Sequence, residues 1–214
     1  MSDNVKRSRN YDSSGRQAQA RRTRAAVLEA ARAAFLDHGY ASTTLGTIAE
    51  QAGVSVETVY KAFGNKPGLL KAVFDVSIVG DDEPVPLAAR EMVARIQAES
   101  DGAKKLAIYS REYTARSERS VPVQLLVRDA AASDAGAAGV LEQLKVERLT
   151  GMTAFAEHLH HSKVLRKGVS ATDARDVLWM FTSPEVYEQL VLERGWSPKR
   201  FGAWLTQQLT AALV

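Results

Sequence analysis

Residues 43–70 read TTLGTIAEQAGVSVETVYKAFGNKPGLL, and the architecture of the chain can be built from this stretch. Thr44 is a good N-cap for a helix opening at Leu45. Leu45, Ile48, Ala49 and Ala52 follow at the i, i+3, i+4, i+7 spacing of one buried helical face. Gly53 then supplies the left-handed backbone that ends a helix and turns the chain. Val54 plugs the turn, Ser55 caps the next helix, and Glu57 complements the positive end of its dipole. Val59 and Phe63 point back to the core, leaving Val56, Thr58, Tyr60 and Lys61 on outward and flanking faces. Two short helices across a tight glycine turn form a helix-turn-helix layout, whose second helix is offered to the major groove of DNA.

Asn65-Lys66-Pro67 opens a further helix, with Asn65 as cap and proline in the first turn, where its missing N–H is not needed. Lys66 opposes the helix dipole unless an anion sits beside it. Next to Thr58 and Tyr60 it reads as a phosphate contact.

On the N-terminal side, residues 18–38 carry an apolar stripe of Val27, Leu28, Ala30, Ala31, Ala34, Phe35 and Leu36, with Arg21, Arg22 and Arg24 in the first turns. Residues 1–17 are polar and read as a disordered basic arm. Asp81-Asp82-Glu83-Pro84 marks a boundary, so a DNA-binding domain is expected over 18–80 and a second domain over 81–214. Beyond that boundary the pattern is helical, with candidates at 86–99, 103–118, 121–132, 135–163, 171–194 and 198–213. Ser170 to Asp173 resembles a capping box, Ser183-Pro184 should kink or restart its helix, and Ser197-Pro198 opens the last one. No sustained strand alternation is present, and the fold class is all-α.

Composition narrows function. The chain has 214 residues, no cysteine and a net charge of +3. Residues 1–66 hold +4 of that charge, leaving −1 on the rest, which suits a polyanion-binding head on a neutral body. No signal peptide or membrane-length apolar run appears, so a cytoplasmic location away from membrane is expected. No phosphate loop, nucleophile elbow or zinc-protease motif is present, so no enzyme is expected. Glu157, His158 and His161 form the one metal-like cluster, better read as a solvated helix end; no metal or cofactor is expected.

The quoted segment resembles the DNA-binding domain of the TetR/AcrR family of bacterial transcriptional regulators. The resemblance rests on Phe35, Gly39-Tyr40, Thr43-Thr44, Ile48-Ala49, Ala52-Gly53-Val54-Ser55, Thr58-Val59-Tyr60, Phe63, Lys66 and Leu69-Leu70. It departs at Ala62 and Gly46, where relatives carry longer side chains that reach bases. The resemblance implies an N-terminal three-helix helix-turn-helix domain followed by a helical-bundle domain for ligand binding and dimerisation. It implies a homodimeric repressor that binds a palindromic double-stranded operator and is released by a small apolar or amphipathic effector. Thr44, Ser55, Val56, Glu57, Thr58, Tyr60, Lys61 and Lys66 would face DNA. Tyr109, Tyr113, Gln124, Arg128, Met152, Phe155, Trp179 and Met180 would line an effector site. Val186, Leu190, Phe201, Trp204, Leu205 and Gln208 would form the dimer interface. Two alternatives stay open at this point: a DNA-binding dimer controlled by a protein partner, and a helical-bundle metal protein or enzyme.

Overall fold

The computed structural model describes residues 13–80 and 89–214, and no strand occurs among them. The head comprises α1 (Ser13–Ser42), α2 (Leu45–Gln51), α3 (Val56–Phe63) and α4 (Lys66–Val79). Helix α1 leaves helical geometry at Gly39, whose φ of 78° only glycine adopts freely. Thr43 locks that corner by donating its hydroxyl to the carbonyls of Gly39 and Ala34. The alanine- and arginine-rich sequence carries α1 back to Ser13, so residues 13–17 belong to the helix and not to the expected arm. The rest of that arm, residues 1–12, and the expected boundary at 81–84 lie outside the described residues.

The body comprises α5 (Glu91–Ala98), α6 (Gly102–Ala131), α7 (Ala135–His161), α8 (Ala171–Phe181), α9 (Pro184–Tyr187) and α10 (Pro198–Leu213). Of the helix expected over 86–99, the described part forms over Glu91–Ala98. The two helices expected at 103–118 and 121–132 are one. Pro122 does not break α6, because Ser120, Val121, Val123 and Val127 on either side are all buried and tertiary packing holds the helix through the lost backbone bond. At Ser183-Pro184 the expected restart occurs: α8 ends at Phe181 and Ser183 caps α9. A π-helical turn over Glu188–Glu193 then leads to Gly195, whose φ is 68°.

Two apolar cores result. The first joins α1–α4 to the C-terminal end of α6 and the N-terminal part of α7, through Val123, Val127, Ala137, Val140 and Leu144. The second is built from α5–α10 around Leu106, Tyr113, Leu159, Leu178, Phe201 and Leu209. Arg119 of α6 ties the head down at its other end, donating to the carbonyls of Ser77 at 2.9 Å and Ile78 at 3.5 Å in the last turn of α4. These are carbonyls that a helix end leaves unpaired. No helix among the described residues is long and apolar enough to cross a membrane.

Candidate nucleic-acid interface

Helices α2 and α3 each begin at a side-chain cap. Thr44 Oγ1 accepts from Thr47 N at 3.1 Å and Ser55 Oγ accepts from Thr58 N at 3.2 Å, as their spacing predicts. Gly53 has a φ of 66°, and its N–H bonds the carbonyl of Glu50. Val59 is fully buried and Phe63 packs against the head core. Tyr60 and Lys61 are exposed, Tyr60 to 53% despite its large apolar ring. Thr58 is half-buried beside them. Val56 is half-buried too, but part of its surface is given to the core. An exposed phenol and ammonium, with a hydroxyl beside them on one short helix, form a face of hydrogen-bond donors suited to phosphate oxygens.

Glu57 stands in the first turn of α3, where its charge complements the helix dipole. Its own backbone N–H and the Ser55 side chain hold the carboxyl below the usual carboxylate range, so the carboxylate serves the cap of α3. Thr44 and Ser55 likewise commit hydroxyl lone pairs to caps.

Lys66 sits at the start of α4 behind cap Asn65, which accepts from Gly68 N at 2.8 Å. Its ammonium lies 4.1 Å from the centre of the Tyr40 ring and donates to the carbonyl of Ala41 at 3.4 Å. Burial pulls its pKa below the ordinary lysine value, partly offset by Asp134. The Tyr40 hydroxyl reaches Asp134 at 3.5 Å, and burial and that carboxylate push its pKa up to about 12. Asp134 caps α7, accepting from Ala137 N at 2.8 Å. The meeting of Lys66, Tyr40 and Asp134 joins the end of α1, the start of α4 and the start of α7, and no sequence spacing announces it.

Sequence reading also missed the task of Arg24. Its guanidinium lies 4.5 Å from the Phe63 ring centre and donates to the carbonyl of Ala62 at 3.4 Å, at the C-terminal end of α3. A basic side chain at a helix C-terminus is a favourable placement, but the partner is 38 residues away and periodicity within α1 cannot reveal it.

Residues 27–73, which hold this capped pair of helices, match the family model described as bacterial regulatory proteins, tetR family. The chain carries a TetR-family DNA-binding domain. The chain is 47% identical over 57 residues to the HTH-type transcriptional regulator TtgR of Pseudomonas putida, covering 27% of each chain. It is 42% identical over 52 residues to the HTH-type transcriptional repressor ComR of Escherichia coli, covering 24% of this chain and 25% of that one. These matches therefore span about a quarter of the length of the curated relatives. The fold likeness extends much further. NalD, the secondary repressor of the MexAB-OprM multidrug efflux pump in Pseudomonas aeruginosa, superposes with a TM-score of 0.71 at 20% identity, over 92% of this chain and 98% of that one. The transcriptional regulator FadR from Bacillus subtilis, solved in complex with stearoyl-CoA, gives 0.68 at 18% identity, over 89% and 99%.

The expected effector residues separate into two groups. Tyr109, Tyr113, Met152 and Phe155 meet in the second core: Tyr109 lies 4.7 Å from Phe155 between ring centres, and its hydroxyl contacts the Met152 sulfur at 3.5 Å. The Tyr113 hydroxyl donates to the carbonyl of Thr182 at 2.9 Å. Trp179 borders this group from α8. Met180, one residue on, is 52% exposed and points elsewhere, because adjacent helical residues diverge by roughly 100°. Arg128 is engaged by Glu188 at 2.7 and 3.2 Å, and Gln124 reaches Ser120 at 3.4 Å. Both are satisfied within the fold and neither is part of the aromatic group. Two surface depressions, of about 450 and 400 Å³, lie at His160–Val169 and between α6 and α10, and neither is lined by an expected effector residue.

The expected interface residues also differ in placement. Phe201 and Leu205 are completely buried within the protomer, so neither has surface left for a partner. The reason is that α10 packs this face onto α6 of its own chain. Val186, Leu190, Trp204 and Gln208 keep partial exposure.

The histidine cluster at the end of α7 has its own chemistry. His158 Nε2 lies 2.9 Å from Nζ of the buried Lys105, which also donates to the carbonyl of Ile96 at 2.7 Å. His161 Nδ1 turns back to the carbonyl of Glu157. Burial, then the charges of Lys105 and His161, lower the His158 pKa, so the folded protein favours neutral His158. A histidine whose folded pKa is depressed adds stability above its unfolded value near 6.5 and loses it as pH falls. The melting temperature should therefore drop between about pH 7.5 and about pH 5.5. His158→Gln should flatten that drop; an unchanged profile in the variant would assign the acid sensitivity to other groups.

Proposed function

We propose that this chain is a homodimeric, operator-binding transcriptional repressor, with residues 18–80 as DNA-binding domain and 81–214 as effector-binding and dimerisation domain. The observation that carries the reading is the Thr58, Tyr60 and Lys61 face of a capped α3 inside a segment that matches the TetR-family model. One α3 from each subunit would enter successive major grooves of a palindromic site. Lys66, held against Tyr40 at the start of α4, would add a phosphate contact beside it. The partly exposed Val186, Leu190, Trp204 and Gln208 on α9, the π-turn and α10 would face the second subunit.

The effector would be apolar or amphipathic and would enter among Tyr109, Tyr113, Met152, Phe155 and Trp179. These side chains already pack together, so the ligand has to open space and binds best to a conformation with the bundle rearranged. Release from DNA follows if that conformation spaces the two heads wrongly, with the ligand favouring it by its differential affinity. A structural neighbour of this fold, FadR from Bacillus subtilis, was solved with stearoyl-CoA, which accords with a ligand-holding body.

The test starts by selecting bound fragments from random DNA with the purified protein. On the selected site, Tyr60→Phe and Lys66→Ala should each weaken binding to good and poor operators alike. Lys66→Ala should also lower the salt slope of log K by about one unit. If no sequence is enriched, or if Lys66→Ala leaves affinity and salt slope unchanged, the DNA-contact assignment is wrong.

A further inference from the structure

Several arginines in the body of this protein are supplied with partners. Arg128 is bidentate on Glu188, Arg175 lies 2.8 Å from Asp176, and Arg119 is spent on the carbonyls that end α4. Arg148 of α7 is different. Its guanidinium lies against Trp179 of α8, 3.8 Å from the ring centre, and donates one N–H to the Trp179 carbonyl. Its Nε is buried without any hydrogen-bond partner, and no carboxylate among the described residues comes within ion-pair distance of it. Glu185 acts on it only from longer range, and burial works against its charge.

A partly desolvated guanidinium with a buried, unpartnered Nε and no counter-ion is costly, and folds normally supply one. Its setting shows what could. Arg148 stands at the edge of the Tyr109, Tyr113, Met152 group. Arg116 of α6 approaches the same two rings, at 5.2 Å from Tyr113 and 5.8 Å from Tyr109. Two cations therefore flank one apolar, aromatic region between α6, α7 and α8. The planar fork of arginine matches a carboxylate with two parallel bonds, while the rings and the Met152 thioether offer surface to a hydrocarbon or aryl body.

We propose that Arg148 is the anchor for an anionic effector, a monocarboxylate carried on an apolar body. This rests on the reading of the α6–α8 core as the effector site. The guanidinium supplies the charged contact and the aromatic group takes the body. Arg148 also holds the Trp179 carbonyl, three residues before the α8 C-cap Thr182 and its Ser183-Pro184 restart. An anion there acts on the junction that leads to α9 and α10.

The test uses the full-length protein with octanoate, dodecanoate and 2-naphthoate, each beside its uncharged alcohol (octanol, dodecanol, 2-naphthalenemethanol). Binding is read by calorimetry and thermal shift, and DNA release is read separately. At least one carboxylate should bind on the order of tenfold or more tighter than its alcohol, the scale of a charge-assisted contact. Arg148→Met should erase that ratio, and Arg148→Lys, which keeps charge without the fork, should restore only part of it. If Arg148→Met fails to fold, Arg148→Gln takes its place and should likewise erase the ratio, whereas Arg116→Met should keep it. No carboxylate binding, equal binding of acids and alcohols, or a ratio preserved in Arg148→Met would overturn the assignment. A carboxylate that binds through Arg148 yet leaves operator affinity unchanged would uphold the anion site and remove effector release. An alcohol that releases DNA while no carboxylate binds would do the reverse.

Discussion

Phe201→Ala should destabilise the folded chain by about 3–5 kcal/mol, the range for emptying a large aromatic site in a packed core. Phe201 is completely buried and is the hinge of an aromatic cluster: ring centres lie 5.0 Å from Tyr187, 5.7 Å from Trp204 and 6.5 Å from Tyr113. Those neighbours come from α6, α9 and α10, so no single side chain can swing in to fill the void. A domain holds only about 5–15 kcal/mol in total, so the loss should be plain in both urea and thermal melts. Trp204→Ala should cost less on folding, because that ring is only half-buried and part of its surface is already in solvent. The pair of variants separates core from interface. If Phe201→Ala melts like the wild type but sediments as a monomer, Phe201 belongs to the subunit contact and its burial in the protomer is misleading.

The second large effect is expected from one methyl group. Gly68 is the third residue of α4, and replacing a helical glycine by alanine normally adds about 0.5–1 kcal/mol of stability. Here the sign should invert. A Cβ on Gly68 would stand 2.3 Å from the carbonyl oxygen of Phe63, the last residue of α3, and 3.2 Å from the capping oxygen of Asn65. The first of these is backbone, so relief requires α3 to move against α4. A net cost of about 1–3 kcal/mol is expected from such overpacking. Operator binding should suffer beyond that cost, since the donor face of α3 would be displaced as a unit. Gly139→Ala on α7 is the control, for nothing lies within 4 Å of its added carbon, and it should be neutral or mildly stabilising. A Gly68→Ala protein with raised melting temperature and normal DNA binding would show that α3 and α4 are not as tightly set as their distances imply.

Much of this protein follows from local physics. Caps at Thr44, Ser55, Asn65, Asp134, Ser170, Ser183 and Ser197 all form side-chain bonds to backbone N–H groups, because capping needs only residues within three positions of one another. Gly53 has its positive φ for the same local reason. The buried face of α2 and the exposed Tyr60 of α3 follow from the 3.6-residue period. Other features depend on what lies across the fold. Pro122 reads as a break, yet burial on both sides keeps α6 whole. Phe201 and Leu205 read as interface, since apolar periodicity says that a face is buried and not by which chain. Lys66, Tyr40 and Asp134 come from three separate helix ends, and the unpaired Nε of Arg148 is defined by the carboxylates that fail to reach it. Most helices, their caps and the α2–α3 pair with its glycine turn were legible along the chain, because each rests on near neighbours in sequence. Which apolar faces close on the protomer, and which charges are left without partners, emerged with the packing alone. Several of the contacts that decide burial and charge pairing join residues far apart in sequence, as in the 53-residue step from Lys105 to His158 and the 60-residue step from Arg128 to Glu188.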